Sequence, residues 1–281
     1  MLSTLELEKA NHNELYKKKA DSWSSRTNNK EEYIRRYELE NLTSFPKGGQ
    51  HLGGKVRGLA IRKLLEAVKE TGRSPSEITI LDAGSGSGGL SVFLACNGFN
   101  VIGVEISEEG CEIAEQLANK MGVGSNCRFL PESLESMTIE DSSIDFVVGL
   151  HTLHHFIKYP NVPKELSRVM KATAKGFFAD SFGENPVYHL FHDKEKMARL
   201  GDVSLTKTLI EDYLSPFHVT LTPTTWFSNI DKFLIRTFGW KNARYIRPIS
   251  KVTYILDQLL PKRSRAMLFL SSTVMTSISK R

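Results

Sequence analysis

The chain has 281 residues, 40% hydrophobic and 25% charged, with a net charge of +5, ordinary values for a soluble globular protein. No apolar run reaches the roughly 18 residues of a transmembrane helix, and the polar first 19 residues lack the apolar segment of a secretory signal. Cys96, Cys111 and Cys127 are scattered, odd in number and without a CxxC pair, so no disulfide framework, zinc site or other metal site is expected, and a reducing compartment is.

The first 54 residues are polar and predict a helical cap in two pieces. Leu5, Leu7, Leu15 and Tyr16 mark a helix over Leu2–Lys19, and Tyr33, Ile34, Tyr37 and Leu42 mark another over Glu31–Leu42. Asp21–Lys30 between them is rich in Ser and Asn and reads as a loop. Phe45–Gly54 reads as a flexible connector able to carry His51 toward a ligand. Lys55–Thr71 is a helix with Val56, Leu59, Ala60, Leu64, Leu65 and Val68 on one stripe, ended by Gly72 and Pro75.

From residue 78 short apolar runs alternate with helical patterns. Strands are expected at 78–82, 100–105, 127–130, 143–150 and 176–179, and helices at 88–96, 108–121 and 161–170. That alternation requires a parallel sheet with helices on both faces. After Asp180 the period is lost until a helix at 206–214, a strand at 217–222, an amphipathic helix at 250–260 and a late apolar run at 266–277 read as the final strand. The expected division is a cap (1–54), a ligand-binding core (55–182) and a segment (183–281) that holds a lid, the acceptor-binding residues and the last strands of the core sheet.

The chemistry concentrates at ITILDAGSGSGG, residues 78–89. Strand, glycine turn and helix follow one another, the setting in which backbone N–H groups cradle a ligand. The next strand ends in Glu105, 21 residues past Gly84, the spacing at which a carboxylate takes both ribose hydroxyls of a nucleotide. Asp82, two residues before Gly84, suits a cationic amino group and would repel the pyrophosphate of NAD.

LDAGSGSGG, VIGVEIS, SIDFVVGLHTLHHF and ELSRVMKATAKGFFADSF, in that order from Ile78 to Phe182, resemble the successive motifs of class I S-adenosylmethionine (SAM) dependent methyltransferases of the small-molecule type 11 kind. The resemblance implies a doubly wound, mostly parallel seven-stranded α/β sheet of Rossmann-like form, the last strand antiparallel, with SAM as cofactor. It places Ala83, Gly84, Ser85, Gly86 and Gly88 beside the amino-acid end of SAM and Asp82 at its ammonium. Glu105 goes to the ribose, Ile106 to one adenine face, and Glu132 and Ser133 to the adenine edge. Leu150 and His151 follow the fourth strand, near the methyl group. His151 and His154 are the candidate bases, because imidazole transfers protons near neutral pH, with capping and packing as the other reading of these histidines. Arg57 is the candidate partner of the SAM carboxylate.

His51, His155, Tyr188, Trp226 and Phe227 are the candidate acceptor contacts. Trp226, Phe227, Phe233, Phe238 and Trp240 crowd one stretch, and Phe182 and Phe191 add to it. From Arg236 onward ten Lys/Arg stand against one acid, Asp257. An apolar chamber beside positive charge suits a small, apolar and anionic acceptor, and a basic amphipathic helix at 250–260 also suits an anionic membrane surface. The expected location is the cytoplasm, with peripheral membrane contact. The basic segment leaves a nucleic-acid methyltransferase as the second reading and a catalytically silent fold as the third. Asn185-Pro186-Val187-Tyr188 faintly matches an amino-methyltransferase motif but follows the wrong strand.

Overall fold

A computed structural model describes residues 4–24, 29–38, 52–185, 203–226, 271 and 273–281, with isolated positions between 249 and 259. Helices α1 (Thr4–Ser24), α2 (Lys30–Tyr37) and α3 (Leu52–Glu70) lead into the alternating core. There follow β1 (Thr79–Ala83), α4 (Gly89–Cys96), β2 (Asn100–Val104), α5 (Glu108–Lys120), β3 (Cys127–Leu130) and β4 (Ile144–Leu150). α6 (Leu153–Phe156), α7 (Val162–Val169), β5 (Met170–Ser181), α8 (Lys207–Tyr213), β6 (Phe217–Pro223) and β7 (Thr273–Lys280) complete the described elements.

The sheet order is β3-β2-β1-β4-β5-β7-β6; β7 is antiparallel to both neighbours and the other pairs are parallel. Alternate side chains of each strand enter opposite cores. Ile78, Ile80, Phe146, Val148 and Phe177 pack under α3, α4 and α5. Leu81, Ala83, Ile144, Val147 and Phe178 pack under α6, α7 and α8. Both faces are therefore covered, as a parallel sheet requires. Strand order reverses between β1 and β4, and the carboxyl ends of the strands on either side of that point form the edge where such sheets bind ligands.

Several boundaries differ from the sequence expectation. The last strand lies at Thr273–Lys280 rather than 266–277, because pairing to β5 and β6 fixes its register: Val274 faces Asp180 on one side and Pro223 on the other. β5 starts at Met170, well before the expected Gly176; its first half holds Lys171 and Lys175, whose exposed polar pattern hid it. α3 starts at Leu52, so the last residues of the expected connector lie in its first turn. α2 begins one residue early because Asn29 caps it, accepting the N–H groups of Glu31 and Glu32 at 2.8 and 3.1 Å.

Candidate active site

β1 runs straight into the glycine turn. Gly84 N–H and Ser85 N–H both donate to Val104 O, at 2.9 and 3.0 Å, which folds the turn back onto the end of β2. Gly84 has φ +77°, and a Cβ there would stand 2.7 Å from the Thr152 methyl, so the position admits glycine on both counts. Gly86 has φ +55° and its N–H donates to Glu105 Oε2 at 3.0 Å. The acid that ends β2 is thereby tied to the turn that ends β1. Glu105 is 5% exposed and also accepts Ser107 N–H at 3.1 Å and lies 3.2 Å from His12 Nδ1.

Asp82 is buried beneath the turn and accepts Ser91 Oγ–H at 2.6 Å. Burial pushes its carboxyl up to about 7; the Ser91 bonds oppose this and the Glu105 charge adds to it. Because the folded value lies above the ordinary one, the protonated form is the one the fold favours. Its stability contribution is complete at low pH and is lost as pH rises toward about 7. A bound ammonium reverses the preference. SAM affinity should therefore rise about tenfold per unit between about pH 5.5 and pH 6.5 and level off above 7. Asp82→Asn should flatten that titration, weaken SAM binding, and raise the melting temperature of the ligand-free protein at about pH 8. Calorimetric titration and thermal unfolding check the two halves; a variant that binds SAM as tightly as the parent contradicts the assignment.

β4 delivers the next group. Leu150 ends the strand, and His151 follows with φ +59°, its N–H held by Ala179 O at 2.8 Å. A left-handed histidine is an uncommon backbone state, held here by the β4–β5 pairing at a point where a ligand would lie. Three residues on, His154 Nδ1 lies 2.7 Å from Asp180 Oδ1. Asp180 ends β5 and is 1% exposed. The His154 and His155 rings lie 4.2 Å apart between centroids, tilted by 38°, and His155 meets His12 edge-on at 5.7 Å. His155 Nδ1 is 3.7 Å from Glu8 Oε1. Glu8, His12 and His155 place potential ligand atoms within 4.8 Å of one another. Lys158 Nζ, 2.9 Å from Glu8 Oε2, already supplies positive charge there, so the trio reads as an ion network rather than a metal centre.

Arg57 is half-buried on α3, which packs on β5, β7 and β4. The β5–β7–β6 register puts Trp226 at the carboxyl edge, three residues past Pro223, which shares a row with Val274 and Asp180. Trp226 is buried and its N–H donates to Asp257 Oδ1 at 2.9 Å.

The remaining expected residues divide. Ile106 is partly exposed beside Glu105. Glu132 and Ser133 follow β3, but their side chains serve the local turn: Glu132 accepts Thr138 N–H and Oγ–H at 2.9 and 2.6 Å, and Ser133 Oγ accepts Glu135 N–H at 3.2 Å. Phe182 is a core residue with no exposed surface. His51, Tyr188, Phe191, Phe227, Phe233, Phe238 and Trp240 lie outside the described residues. Sequence reasoning missed Asp180, although its signal was present: like Asp82 and Glu105, it is an acid closing an apolar strand. It also missed Glu8, His12 and Tyr16, which carry no motif.

The donors fit SAM. Ser85 Oγ, Thr152 Oγ1 and Arg57 Nε are buried without a hydrogen-bond partner among the described residues. Orphaned polar atoms cost stability unless something meets them. Together with Asp82 and Glu105 they offer acceptors for an ammonium and two hydroxyls and a cation for a carboxylate.

The family model for a methyltransferase domain matches residues 81–178, from the end of β1 through most of β5. Residues 81–178 thus form a methyltransferase domain, set on the seven-stranded sheet described above. A sterol 4-C-methyltransferase of Caenorhabditis elegans is 27% identical over 126 residues, 45% of this chain and 38% of that protein. A ubiquinone biosynthesis O-methyltransferase of Rickettsia prowazekii is 27% identical over 128 residues, 43% of this chain and 50% of that protein. The chain thus spans half the length or less of these curated relatives. Geranyl diphosphate C-methyltransferase of Streptomyces coelicolor, solved with Mg²⁺, geranyl diphosphate and S-adenosylhomocysteine, superposes with a TM-score of 0.54 at 15% identity, covering 90% of this chain and 98% of that one. That likeness is one of fold. The matched segment of the methyltransferase domain holds the glycine turn, Glu105, His151, His154 and most of β5, while Arg57, Asp180 and Trp226 lie outside it.

Proposed function

We propose that the protein transfers the methyl group of SAM to a small, largely apolar acceptor. The observation that carries this reading is the joining of Glu105 to the glycine turn through Gly86 N–H, which sets a ribose-binding acid and an amino-acid cradle side by side above β1 and β2. Glu105 and Ile106 hold the nucleoside, Asp82 faces the ammonium and Arg57 the carboxylate. When bound, SAM supplies a methyl group on a sulfonium, a leaving group that needs no acid. The chain's task is mainly alignment. The acceptor atom bonds to the methyl carbon as the carbon–sulfur bond breaks, and a proton on that atom must then leave.

In this reading His154 takes that proton. A carboxylate at Nδ1 fixes the tautomer with N–H toward Asp180 and the lone pair on Nε2, where a base needs it. His151, on its left-handed backbone, lines the same edge between the glycine turn and β5. Acceptor chemistry is argued from two sides. The relatives above are named for sterol and ubiquinone-pathway methylation, both apolar classes, and Trp226 places an aromatic side chain at the carboxyl edge beyond β5. The test is transfer of labelled methyl from SAM into organic-extractable material.

Peripheral membrane contact belongs to the same reading. Among the described residues no helix is long and apolar enough to cross a membrane. Val252, Ile255, Leu256 and Leu259, at helical spacing, are 56%, 47%, 38% and 76% exposed, while Thr253 and Asp257 on the other side are buried. An outward apolar stripe in a segment rich in Lys and Arg suits insertion among anionic lipid headgroups. The protein should sediment with phosphatidylglycerol vesicles, and Leu259→Glu with Ile255→Glu should leave it in the supernatant at unchanged fold; vesicle binding unaffected by the pair contradicts this contact.

A further inference from the structure

Helix α1 carries Glu8, His12 and Tyr16 at intervals of four, one stripe along its axis. Each meets a different part of the carboxyl edge. The Tyr16 hydroxyl stands 2.8 Å from where a Cβ on Gly86 would be, and its ring 3.1 Å from one on Gly110. His12 Nδ1 lies 3.2 Å from Glu105 Oε1. Glu8, 7% exposed, accepts hydrogen bonds from Tyr159 and Lys158 beside His155. Lys9 and Lys17 on the flank pair with Glu108 and Glu109 of α5 at 2.7 and 2.8 Å. Meanwhile Leu7 and Leu15 are 54% and 40% exposed. The stripe that this helix turns inward is largely polar while Leu7 and Leu15 stand outward, unlike an ordinary surface helix, whose inward stripe is apolar. Its hold on the core in this stripe is ionic and hydrogen-bonded, and a ligand with the same chemistry can exchange with it.

The contested atom is Glu105 Oε1. Oε2 is taken by Gly86 N–H; Oε1 serves both Ser107 N–H and His12. A carboxylate has about four acceptor positions, and ribose needs the same two oxygens. We propose that His12 sets cofactor affinity by holding Glu105 in competition with the ribose hydroxyls, so that α1 is a latch released when the nucleoside binds. The proposal rests on the SAM reading above. It explains why the stripe touches the glycine turn, the ribose acid and the His155 side at once: one displacement at His12 loosens contacts along the whole edge.

His12 also gives the latch a pH dependence. Glu105 and Glu8 face it and favour its charged form; burial and Lys158 act against this, and His155 and Tyr16 pack on its ring. The balance lies above the usual imidazole value. The Glu105 contact is therefore strongest below neutral pH and weakens as pH rises through the shifted value.

The test is calorimetric titration of the full chain with S-adenosylhomocysteine, comparing parent and His12→Ala at about pH 6 and about pH 8. The ratio of the two affinities cancels the Asp82 titration common to both. His12→Ala should bind about tenfold more tightly at the lower pH, within the usual span of coupling between sites, and the ratio should shrink toward one at the higher. His12→Gln, a neutral donor, should give a ratio that does not change with pH. Parent binding with a His12→Ala variant that is equal or weaker at both pH values overturns the latch alone. No binding by any of the three overturns the SAM reading and the latch with it.

Discussion

Glu105→Ala should weaken SAM binding by about 100- to 10,000-fold, as two hydrogen bonds to a charged acceptor are each worth about 1.5–3 kcal/mol. The effect is large because Glu105 is nearly fully buried and holds the glycine turn, besides the sugar assigned to it under the proposed function. Alanine removes the ribose acceptors and leaves Gly86 N–H and Ser107 N–H without theirs. Glu105→Gln separates the two roles. Its amide oxygen can still accept one backbone N–H, so the fold should be kept while affinity falls by about 10- to 100-fold through loss of charge. His151→Ala should cost SAM less than either, since the His151 backbone, not its ring, is what the β4–β5 pairing fixes. Calorimetric titration ranks the three; a Glu105 variant that binds SAM like the parent would remove the ribose assignment.

Asp180→Asn should lower kcat by about 100- to 10,000-fold, the usual span of a positioned general base, with SAM affinity unchanged. Asp180 does not touch the reacting atoms in this reading; it is a positioning residue that acts through His154. Asparagine has nearly the same shape, and its NH₂ can face Nδ1 only if the imidazole proton moves to Nε2, where it blocks proton acceptance. An unchanged SAM affinity beside the fall in kcat distinguishes this from simple loosening of the edge, which would weaken both. Unchanged turnover would show that the acceptor loses its proton elsewhere, to water or to another group.

Much of this edge was legible in the chain because strands announce their ends. Ile80-Leu81-Asp82, Gly103-Val104-Glu105 and Phe178-Ala179-Asp180 are each an apolar run closed by an acid, and in a parallel sheet such closures converge on one edge. The resemblance supplied roles for the first two and none for Asp180. Strand limits were less legible where the run was polar: Lys171 and Lys175 hide the first half of β5 because that part faces solvent rather than helices. β7 was displaced because the register of an antiparallel insertion is set by its partners, β5 and β6, which local periodicity does not report. His12 gave no signal, and Tyr16 signalled only a helix. A helix bound by polar contacts looks, in sequence, like one facing water.

The measurement closest to the central claim is methyl transfer itself. The protein would be incubated with methyl-labelled SAM and total cell extract, and the label followed into organic-soluble, nucleic-acid and protein fractions, with product identified by mass spectrometry. The expected result is an organic-soluble small molecule heavier by one methylene unit, formed by the parent and lost in both Glu105→Ala and Asp180→Asn. Label in nucleic acid or protein, or no transfer by a protein that binds SAM, would contradict it.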